Sequence, residues 1–368
     1  FCLVGCKKDT KQTNKILDNG TTETESESKN KPIVIAIMNE SFANINNIGN
    51  CDINNDCMPC YNRLKGESVY GYVTVSAYGG YSCNSEYEFL TGNTMAFLPP
   101  NSAAFTQFLD EKQESFVTYI KSQGYKTYAI AANDASVWNK DKAYKNLGFD
   151  DMVFNCCDGD IDVKKVNGNI SDESVYNFLI KMVEENIDNG PCFYWVNTIQ
   201  NHSPYDTGTT SESVKLLNPY DDSAQQYISS IYDSDAAFGS LVEYFRDYDY
   251  EVVILMFGDH LPSLEYFYES LVGKEITKLP IEDYVKFRQT PFIIWDNKGL
   301  ESRNIKNISL NYLSNELCNS IGFPLSKYQQ VLETYREHIP AISSVGYADS
   351  DDSWHYLFEI NENVDKIC

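Results

Sequence analysis

The apolar residues of this chain occur in short, dense runs separated by amphipathic stretches. Runs of this kind, rich in β-branched residues, are typical of strands that are buried on both faces of a parallel sheet. On this pattern we predict strands at residues 33–38, 127–131, 192–197, 252–257 and 292–295.

Between these runs the apolar positions follow a helical period. The pattern predicts helices over residues 101–123, 171–187, 223–246, 309–320 and 325–336, the second of which begins with the capping residues Ser171, Asp172 and Glu173. Strands that alternate with helices predict an α/β fold, a doubly wound and mostly parallel sheet flanked by helices. From about residue 300 the pattern changes and predicts a small C-terminal α+β subdomain.

The chain therefore divides into three predicted parts: a flexible tether over residues 1–31, a domain built on the sheet over residues 32–300, and the subdomain over residues 301–368. The first part opens with FCLVGC and then becomes abruptly polar. These residues fit the end of a removed signal or membrane segment, or a bacterial lipobox in which Cys6 is lipidated; an arbitrary fragment edge is the alternative.

Composition limits the classes of partner. The 368 residues include 29 Lys and Arg against 53 Asp and Glu, a formal net charge of −24. Such a chain repels polyphosphate backbones, so nucleic acid is not expected as a partner. No apolar run approaches the roughly 18–20 residues of a membrane helix.

Eleven cysteines are too few for a disulfide scaffold. Cys57 and Cys60 have half of a zinc-site spacing, but no second pair of ligands follows at the expected distance. We therefore expect a structural disulfide in this loop rather than a zinc site.

Polar side chains follow three of the predicted strands. Glu40 comes after strand 33–38, His202 after strand 192–197, and Asp259 and His260 after strand 252–257. Ligands in such folds bind beyond the carboxyl ends of the strands. Carboxylates with an imidazole predict a divalent metal, Mn²⁺ or Zn²⁺ ahead of Ca²⁺.

A further polar segment contains Gly79 and Gly80, which allow a sharp turn immediately before Tyr81, Ser82 and Cys83. A helix-compatible stretch follows. A nucleophile at a helix N-terminus lies beside N–H donors that favour a phosphate oxyanion. A glycine-rich turn with a capping serine is the simpler interpretation.

Six segments, taken in order, resemble the extracellular catalytic domain of lipoteichoic acid synthases and related phosphoglycerol transferases of the alkaline phosphatase/sulfatase superfamily. They are IMNESF (37–42), GGYSCNSEYEFLTG (79–92), VWNKDKAYKNLGFD (137–150), IQNHSPY (199–205), FGDHLP (257–262) and TPFIIW (290–295). The resemblance runs from about residue 32 to at least residue 345. It implies a sulfatase-like catalytic domain over residues 32–300.

The resemblance implies a set of metal ligands and a nucleophile. Ser82 occupies the position of the family's nucleophilic Thr, and Glu40, Ser82, Asp259 and His260 are expected to bind one divalent metal. In this family the metal is typically Mn²⁺, with Zn²⁺ or Mg²⁺ as alternatives. His202 matches the active-site His that contacts the phosphoryl group.

The resemblance also implies substrate contacts at Trp138, Lys140 and Asn133, with Lys140 standing where the family usually has Arg. Lysine keeps the positive charge but lacks the planar fork of a guanidinium. Sulfatases convert a Cys to formylglycine, but this conversion needs a Pro and an Arg shortly downstream, and both are missing after Cys83. We therefore expect Ser82 to be the nucleophile.

The expected activity is transfer of glycerol phosphate from phosphatidylglycerol to a glycolipid or polymer acceptor, at the outer face of a bacterial membrane that the chain reaches through its N-terminal anchor. A phosphodiesterase, phosphatase or phosphoethanolamine transferase on the same scaffold is the alternative enzyme. From another class, a catalytically silent surface binding module is the alternative.

Overall fold

The centre of the molecule is an eight-stranded sheet. The structure, a computed structural model, describes residues 31–159, 162–206, 213–218 and 222–360. The strands in chain order are β1 (Ile33–Asn39), β2 (Val69–Thr74), β3 (Lys126–Ala131), β4 (Asp151–Val153), β5 (Lys165–Val166), β6 (Asn169–Ile170), β7 (Cys192–Asn197), β8 (Val252–Gly258), β9 (Gln289–Asp296), β10 (Arg303–Ser309), β11 (Ala341–Ile342), β12 (Gly346–Ala348) and β13 (Trp354–Tyr356).

The large sheet has the strand order β10-β2-β9-β8-β1-β7-β3-β4. All its pairings are parallel except those of β9, which runs antiparallel to both β2 and β8. The carboxyl ends of the seven other strands therefore lie at one edge of the sheet, and β9 begins at that edge.

Helices cover both faces of this sheet. They are α1 (Pro59–Leu64), α2 (Ser82–Thr91), α3 (Ala104–Gln107), α4 (Phe116–Ser122), α5 (Lys140–Leu147), α6 (Asp172–Asn186), α7 (Asp222–Arg246), α8 (Glu265–Val272), α9 (Ile281–Tyr284), α10 (Leu313–Ser320) and α11 (Lys327–Arg336). In β1, Ile33, Ile35 and Ile37 pack into one core and Val34 and Ala36 into the other. The predicted doubly wound, mostly parallel fold is confirmed.

Most of the predicted elements are present, but the helix predicted over residues 101–123 is wrong. That segment forms two short helices, α3 and α4, separated by residues 108–115. The cause lies at Ser115, whose side-chain oxygen accepts from the backbone N–H of Thr118, while the backbone N–H of Ser115 donates to Thr118 Oγ1. This reciprocal cap begins a new helix at residue 116.

The C-terminal part contains α10, α11 and a separate antiparallel sheet of β11, β12 and β13. The predicted division at residue 300 stays a prediction. It falls between β9 and β10, which are both strands of the large sheet.

The predictions for the N-terminus, including lipidation of Cys6 and most of the tether over residues 1–31, lie outside the described residues. Within the part of the chain that the structure describes, no helix combines the length and apolar character needed to cross a membrane.

The predicted disulfide in the loop around Cys57 is not formed in the structure: none of the eight cysteines in the described part of the chain takes part in a disulfide. Cys57 points into the core beneath α1, and Cys60 lies on α1, where its backbone N–H donates to Asp235. Burial, followed by the negative charge of Asp56, raises the pKa of the Cys57 thiol to about 12. A thiol with this pKa stays protonated and packs as a small apolar group.

Strand β2 is held closely between its neighbours at Gly71. A Cβ atom at this position would lie 1.6 Å from the carbonyl oxygen of Ile305 in β10. The pairing of β2 with β10 also shifts register between Ile305 and Asn307. Only glycine allows the two backbones to approach in this way.

We expect Gly71→Ala to destabilise the fold by about 1–3 kcal/mol, since β10 must move away from the added methyl group. Gly66→Ala is the matched control, because a Cβ atom at Gly66 has no neighbour within 4 Å. Urea unfolding of both variants tests this. Equal stability of the two would contradict the close approach.

Candidate metal centre and active site

Three ligand-type side chains converge at the carboxyl edge of the sheet. Glu40 follows β1, Asp259 and His260 follow β8, and β1 and β8 are adjacent strands. Their ligand atoms all lie within 4.8 Å of one another. All three residues are buried, with Asp259 fully so. Among the described residues this is the group of His, Cys, Asp and Glu side chains with the geometry to hold a metal ion.

The hydrogen bonds of the three residues leave lone pairs directed into the centre. Asp259 Oδ1 accepts from the backbone N–H groups of Ser41 and His260, whereas Asp259 Oδ2 is buried without a hydrogen-bond partner. The Nδ1 of His260 faces the carbonyl oxygen of Leu261 at 3.1 Å, and Nε2 lies 3.2 Å from Asp259 Oδ2. Nδ1 therefore carries the proton and Nε2 is free to bind a metal. An orphaned carboxylate oxygen beside an oriented imidazole fits a divalent cation.

Ser82 is the first residue of α2 and lies beside this group. Its Oγ is 3.3 Å from His260 Nε2 and 3.4 Å from Glu40 Oε2. The turn before it requires a left-handed backbone at Gly79 (φ 67°), where a Cβ atom would lie 2.1 Å from Ser263 Oγ, and again at Tyr81 (φ 66°). The turn thus brings the hydroxyl to the metal ligands.

The neighbouring thiol is unsuited to act in its place. Cys83 is fully buried, and burial, followed by the charge of Glu86, raises its pKa to about 12. A nucleophilic cysteine needs the opposite shift.

Electrostatics at the site favour a bound cation. Burial and then the charge of Asp259 raise the pKa of Glu40 to about 7. Without a cation, two carboxylates in a water-poor site cannot both stay ionised at low cost. A positive charge on either His260 or His202 lowers the pKa of Glu40, which indicates that His202 also faces this carboxylate.

His202 is solvent-exposed at the mouth of the site. Its Nδ1 lies 2.6 Å from the carbonyl oxygen of Ser203, so Nδ1 carries the proton and Nε2 is available to a ligand. The position agrees with a contact to a substrate oxygen, a role that stays a prediction.

Trp138 is linked by an aromatic contact to the turn that precedes Ser82. Its ring stacks on that of Tyr81 with centroids 5.4 Å apart. The backbone at both Trp138 (φ 56°) and Asn139 (φ 55°) is left-handed, which turns the chain sharply into α5. The structure thus brings Trp138 to the rim of the site.

Lys140 is not brought to the rim. Its side chain is fully buried, and its Nζ lies 3.0 Å from Glu86 Oε1 and 2.5 Å from Asn197 Oδ1. Glu86 Oε2 also accepts from Tyr144 and Trp195. The expectation of a substrate-contacting cation is therefore corrected: this ammonium neutralises a buried carboxylate on α2, one turn after Ser82.

The structure places Asn133 at the carboxyl end of β3, and its Oδ1 is buried without a hydrogen-bond partner. Asn133 is one of the predicted substrate contacts, and this oxygen is an acceptor without a hydrogen-bond partner in the structure.

Sequence reasoning missed several residues that shape the site. Thr198 Oγ1 accepts from the Glu40 backbone N–H, and the Ser41 hydroxyl donates to Glu40 Oε1 at 2.9 Å. Tyr81 supplies the partner of Trp138. Ser41 and Thr198 each follow a predicted strand within three residues, and that position is the one signal that could have identified them.

Comparison with known proteins agrees with this fold. Residues 32–322 match the family model described as Sulfatase. A Rhizobium meliloti protein named for a proposed role in cyclic beta-1,2-glucan modification is 30% identical over 333 residues, covering 88% of this chain and 50% of that protein. Lipoteichoic acid synthase 1 of Bacillus subtilis is 26% identical over 239 residues, covering 58% of this chain and 36% of that protein.

The chain thus spans half or less of the length of these curated relatives. Among solved structures, the Streptococcus pyogenes phosphoglycerol transferase GacH in complex with sn-glycerol-1-phosphate superposes with a TM-score of 0.70 at 20% identity. The superposition covers 88% of this chain and 81% of that one. It establishes the shared fold.

We expect Lys140→Met to destabilise the protein by about 3–5 kcal/mol, because it leaves the Glu86 carboxylate buried without its counter-charge. Urea unfolding measures this change. The double variant Glu86→Gln/Lys140→Met should recover much of the loss, since neither residue is then charged. A single variant as stable as the wild type would contradict the ion pair.

The metal-free protein should become less stable as pH rises from about 5 to about 8. Burial raises the pKa of Glu88 to about 7, and those of Asp172 and Asp235 to about 6, in addition to Glu40. Because the folded chain then binds more protons than the unfolded chain in this window, the free energy of unfolding falls as pH rises.

Urea unfolding in EDTA at pH 5 and pH 8 tests this trend. Added Mn²⁺ should stabilise the protein more at pH 8 than at pH 5, since metal binding displaces the Glu40 proton. A metal-free protein that is at least as stable at pH 8 as at pH 5 would contradict this prediction, because the buried carboxyls would then ionise without a loss of stability.

Proposed function

The chain belongs to the sulfatase family, and from this membership and the site's geometry we propose that it is a metal-dependent phosphotransferase with Ser82 as its nucleophile. The observation that carries the proposal is the contact of Ser82 Oγ with both Glu40 and His260, inside a group that also contains Asp259. A hydroxyl without a catalytic role has no reason to lie among three buried metal-type ligands.

Glu40, Asp259, His260 and Ser82 would hold one divalent cation. When bound, such an ion lowers the pKa of the serine hydroxyl and neutralises charge on the phosphoryl oxygens. We propose Mn²⁺, with Zn²⁺ or Mg²⁺ as alternatives, since the donor set mixes carboxylates with one imidazole.

In the proposed reaction Ser82 Oγ attacks the phosphorus of a phosphodiester. The Oγ–P bond forms as the bond from phosphorus to the leaving alcohol breaks, which leaves a phosphoserine ester. Ser82 loses its hydroxyl proton to solvent as the Oγ–P bond forms, and the leaving alkoxide takes up one proton. We propose that the His202 imidazole, doubly protonated in this step, donates that proton from Nε2. An acceptor hydroxyl then attacks the phosphoserine and regenerates Ser82.

The N-terminus of α2 supports this step. Ser82 is the first residue of a ten-residue helix, so backbone N–H groups and the helix dipole favour negative charge at this point. The stacked rings of Tyr81 and Trp138 form one wall beside the hydroxyl, where they would orient the bound alcohol. We propose that Trp138 and Asn133, whose side-chain oxygen has no hydrogen-bond partner, contact substrate.

For the substrates we propose phosphatidylglycerol as donor, so that diacylglycerol leaves and glycerol phosphate is transferred to a glycolipid or polymer of the cell envelope. The names of two relatives support this direction, one a lipoteichoic acid synthase and the other linked to a beta-1,2-glucan. Such a reaction takes place at the outer face of a bacterial membrane, where the N-terminal segment would anchor the chain.

Replacing Ser82 with Ala should lower the rate of diacylglycerol release from labelled phosphatidylglycerol in micelles by about 1,000-fold or more. This is the order expected for loss of a nucleophile. The activity of the unmodified chain should require added Mn²⁺. Ser82→Thr keeps a hydroxyl and should retain part of the rate.

Cys83→Ala is the matched control, because it alters the adjacent side chain but leaves the proposed nucleophile intact. Activity lost in Cys83→Ala but kept in Ser82→Ala would overturn the nucleophile assignment. If metal-loaded protein releases no diacylglycerol, the donor is another phosphodiester, and phosphatidylethanolamine is the next to test.

A further inference from the structure

A network of polar side chains lies buried behind the group formed by Glu40, Asp259 and His260. Its members come from β1, α6, α7 and the turn after β7, and none is more than 1% exposed: Asn39, Asp172, Gln200, Asn201, Ser230 and Ser234. Burying so many polar side chains costs free energy unless they are paired with one another. A well-paired network of this kind rigidifies the elements that it joins.

Asn39 is the centre of this network and immediately precedes Glu40 in the chain. Its Nδ2 donates to Asp172 Oδ2 at 3.0 Å and to Ser234 Oγ at 2.9 Å. The Ser234 hydroxyl donates in turn to the same oxygen of Asp172. Because the carboxylate can only accept, these bonds fix the Asn39 amide with its Oδ1 pointing away from Asp172.

The free end of the Asn39 amide is bound by a second amide. Asn39 Oδ1 accepts from Asn201 Nδ2 at 3.2 Å. The hydroxyl of Ser230 on α7 donates to Asn201 Oδ1 at 2.6 Å, which fixes the orientation of the second amide as well. The bond between the two amides therefore joins the residue before Glu40 to the residue before His202.

His202 depends on this bond for its position. Its imidazole is solvent-exposed, so close packing does not hold it in place. Its backbone N–H donates to the carbonyl oxygen of Ile199 at 3.1 Å and closes the turn after β7. Asn201 lies within this turn and is fully buried, so its amide ties the turn to β1 at Asn39.

We propose that Asn39 and Asn201 are positioning residues, whose paired amides hold the His202 imidazole at a set distance from Glu40. Asp172 and Ser234 orient the first amide, and Ser230 orients the second. The placement of His202 rests on these hydrogen bonds alone, whereas its effect on proton donation rests on the proposed function. A proton donor must lie within hydrogen-bond reach of the leaving oxygen, and a small displacement lowers the rate.

The placement is tested by the imidazole signals of His202 in nitrogen-correlated NMR spectra of the full chain in EDTA. The chain has four histidines, so the signals lost in His202→Gln assign this residue. Ser230→Ala removes the donor that orients Asn201, and we expect the His202 signals to shift and broaden. Ser229→Ala is the matched control, since the Ser229 hydroxyl donates to the carbonyl oxygen of Gln225 instead, and it should leave them unchanged.

A comparison of leaving groups separates positioning of a proton donor from general damage to the site. A nitrophenolate leaves without a proton, whereas the alkoxide of diacylglycerol needs one. Ser230→Ala should therefore lower kcat for diacylglycerol release by about tenfold or more, and kcat for bis(p-nitrophenyl) phosphate by less than about twofold. Ser229→Ala should keep both rates.

Two results would overturn the positioning role. One is a set of His202 signals that is the same in Ser230→Ala as in Ser229→Ala, and the other is an equal loss of rate on both substrates. A thermal unfolding scan of each variant confirms that the fold is retained. If the proposed function fails instead, the wild type will release no diacylglycerol, and the NMR comparison, which needs neither metal nor substrate, still decides the placement of His202.

Discussion

Two buried carboxylates, Glu40 and Asp259, lie in one water-poor site, and the arrangement around them follows from the need to balance their charge. Burial and mutual repulsion raise the pKa of Glu40 to about 7. The backbone N–H groups of Ser41 and His260 stabilise one oxygen of Asp259, but its other oxygen has no partner. A divalent cation would satisfy that oxygen, the imidazole Nε2 and Glu40 together, at a position in contact with Ser82. One bound cation would thus balance the buried carboxylates and lie beside the Ser82 hydroxyl.

A second buried charge lies behind the nucleophile, and here the protein supplies the counter-ion itself. Glu86, one turn after Ser82 on α2, pairs with Lys140 and accepts hydrogen bonds from Tyr144 and Trp195. Lys140 follows the left-handed residues Trp138 and Asn139, so this ion pair ties the loop that carries Trp138 to the helix that carries Ser82. The contribution of Lys140 is therefore to position the rim of the site.

The sequence allowed much of the site to be anticipated. Glu40, Asp259 and His260 could be grouped because each follows a dense apolar run, and the ends of parallel strands meet at one edge of a sheet. Ser82 could be added only through the resemblance to a known family, since a glycine-rich turn before a serine is common. The sequence could not show that residues 101–123 form two helices, because the apolar positions of this segment keep a helical period. The second helix begins at the cap formed by Ser115 and Thr118, which is a local hydrogen-bond arrangement.

By itself, then, the sequence determined the parallel core, its two apolar faces and the polar residues at the strand ends, because these depend on the local period of hydrophobic positions. The tertiary structure alone decided which charges meet. A lysine is ordinarily a surface cation, but Lys140 is buried because Glu86 and Asn197 converge on it from α2 and β7. The strand β9 runs antiparallel to both of its neighbours, and strand direction is not encoded in the apolar period of a run buried on both faces. Pairings between residues far apart in the chain depend on the packing of whole elements, which no local pattern records.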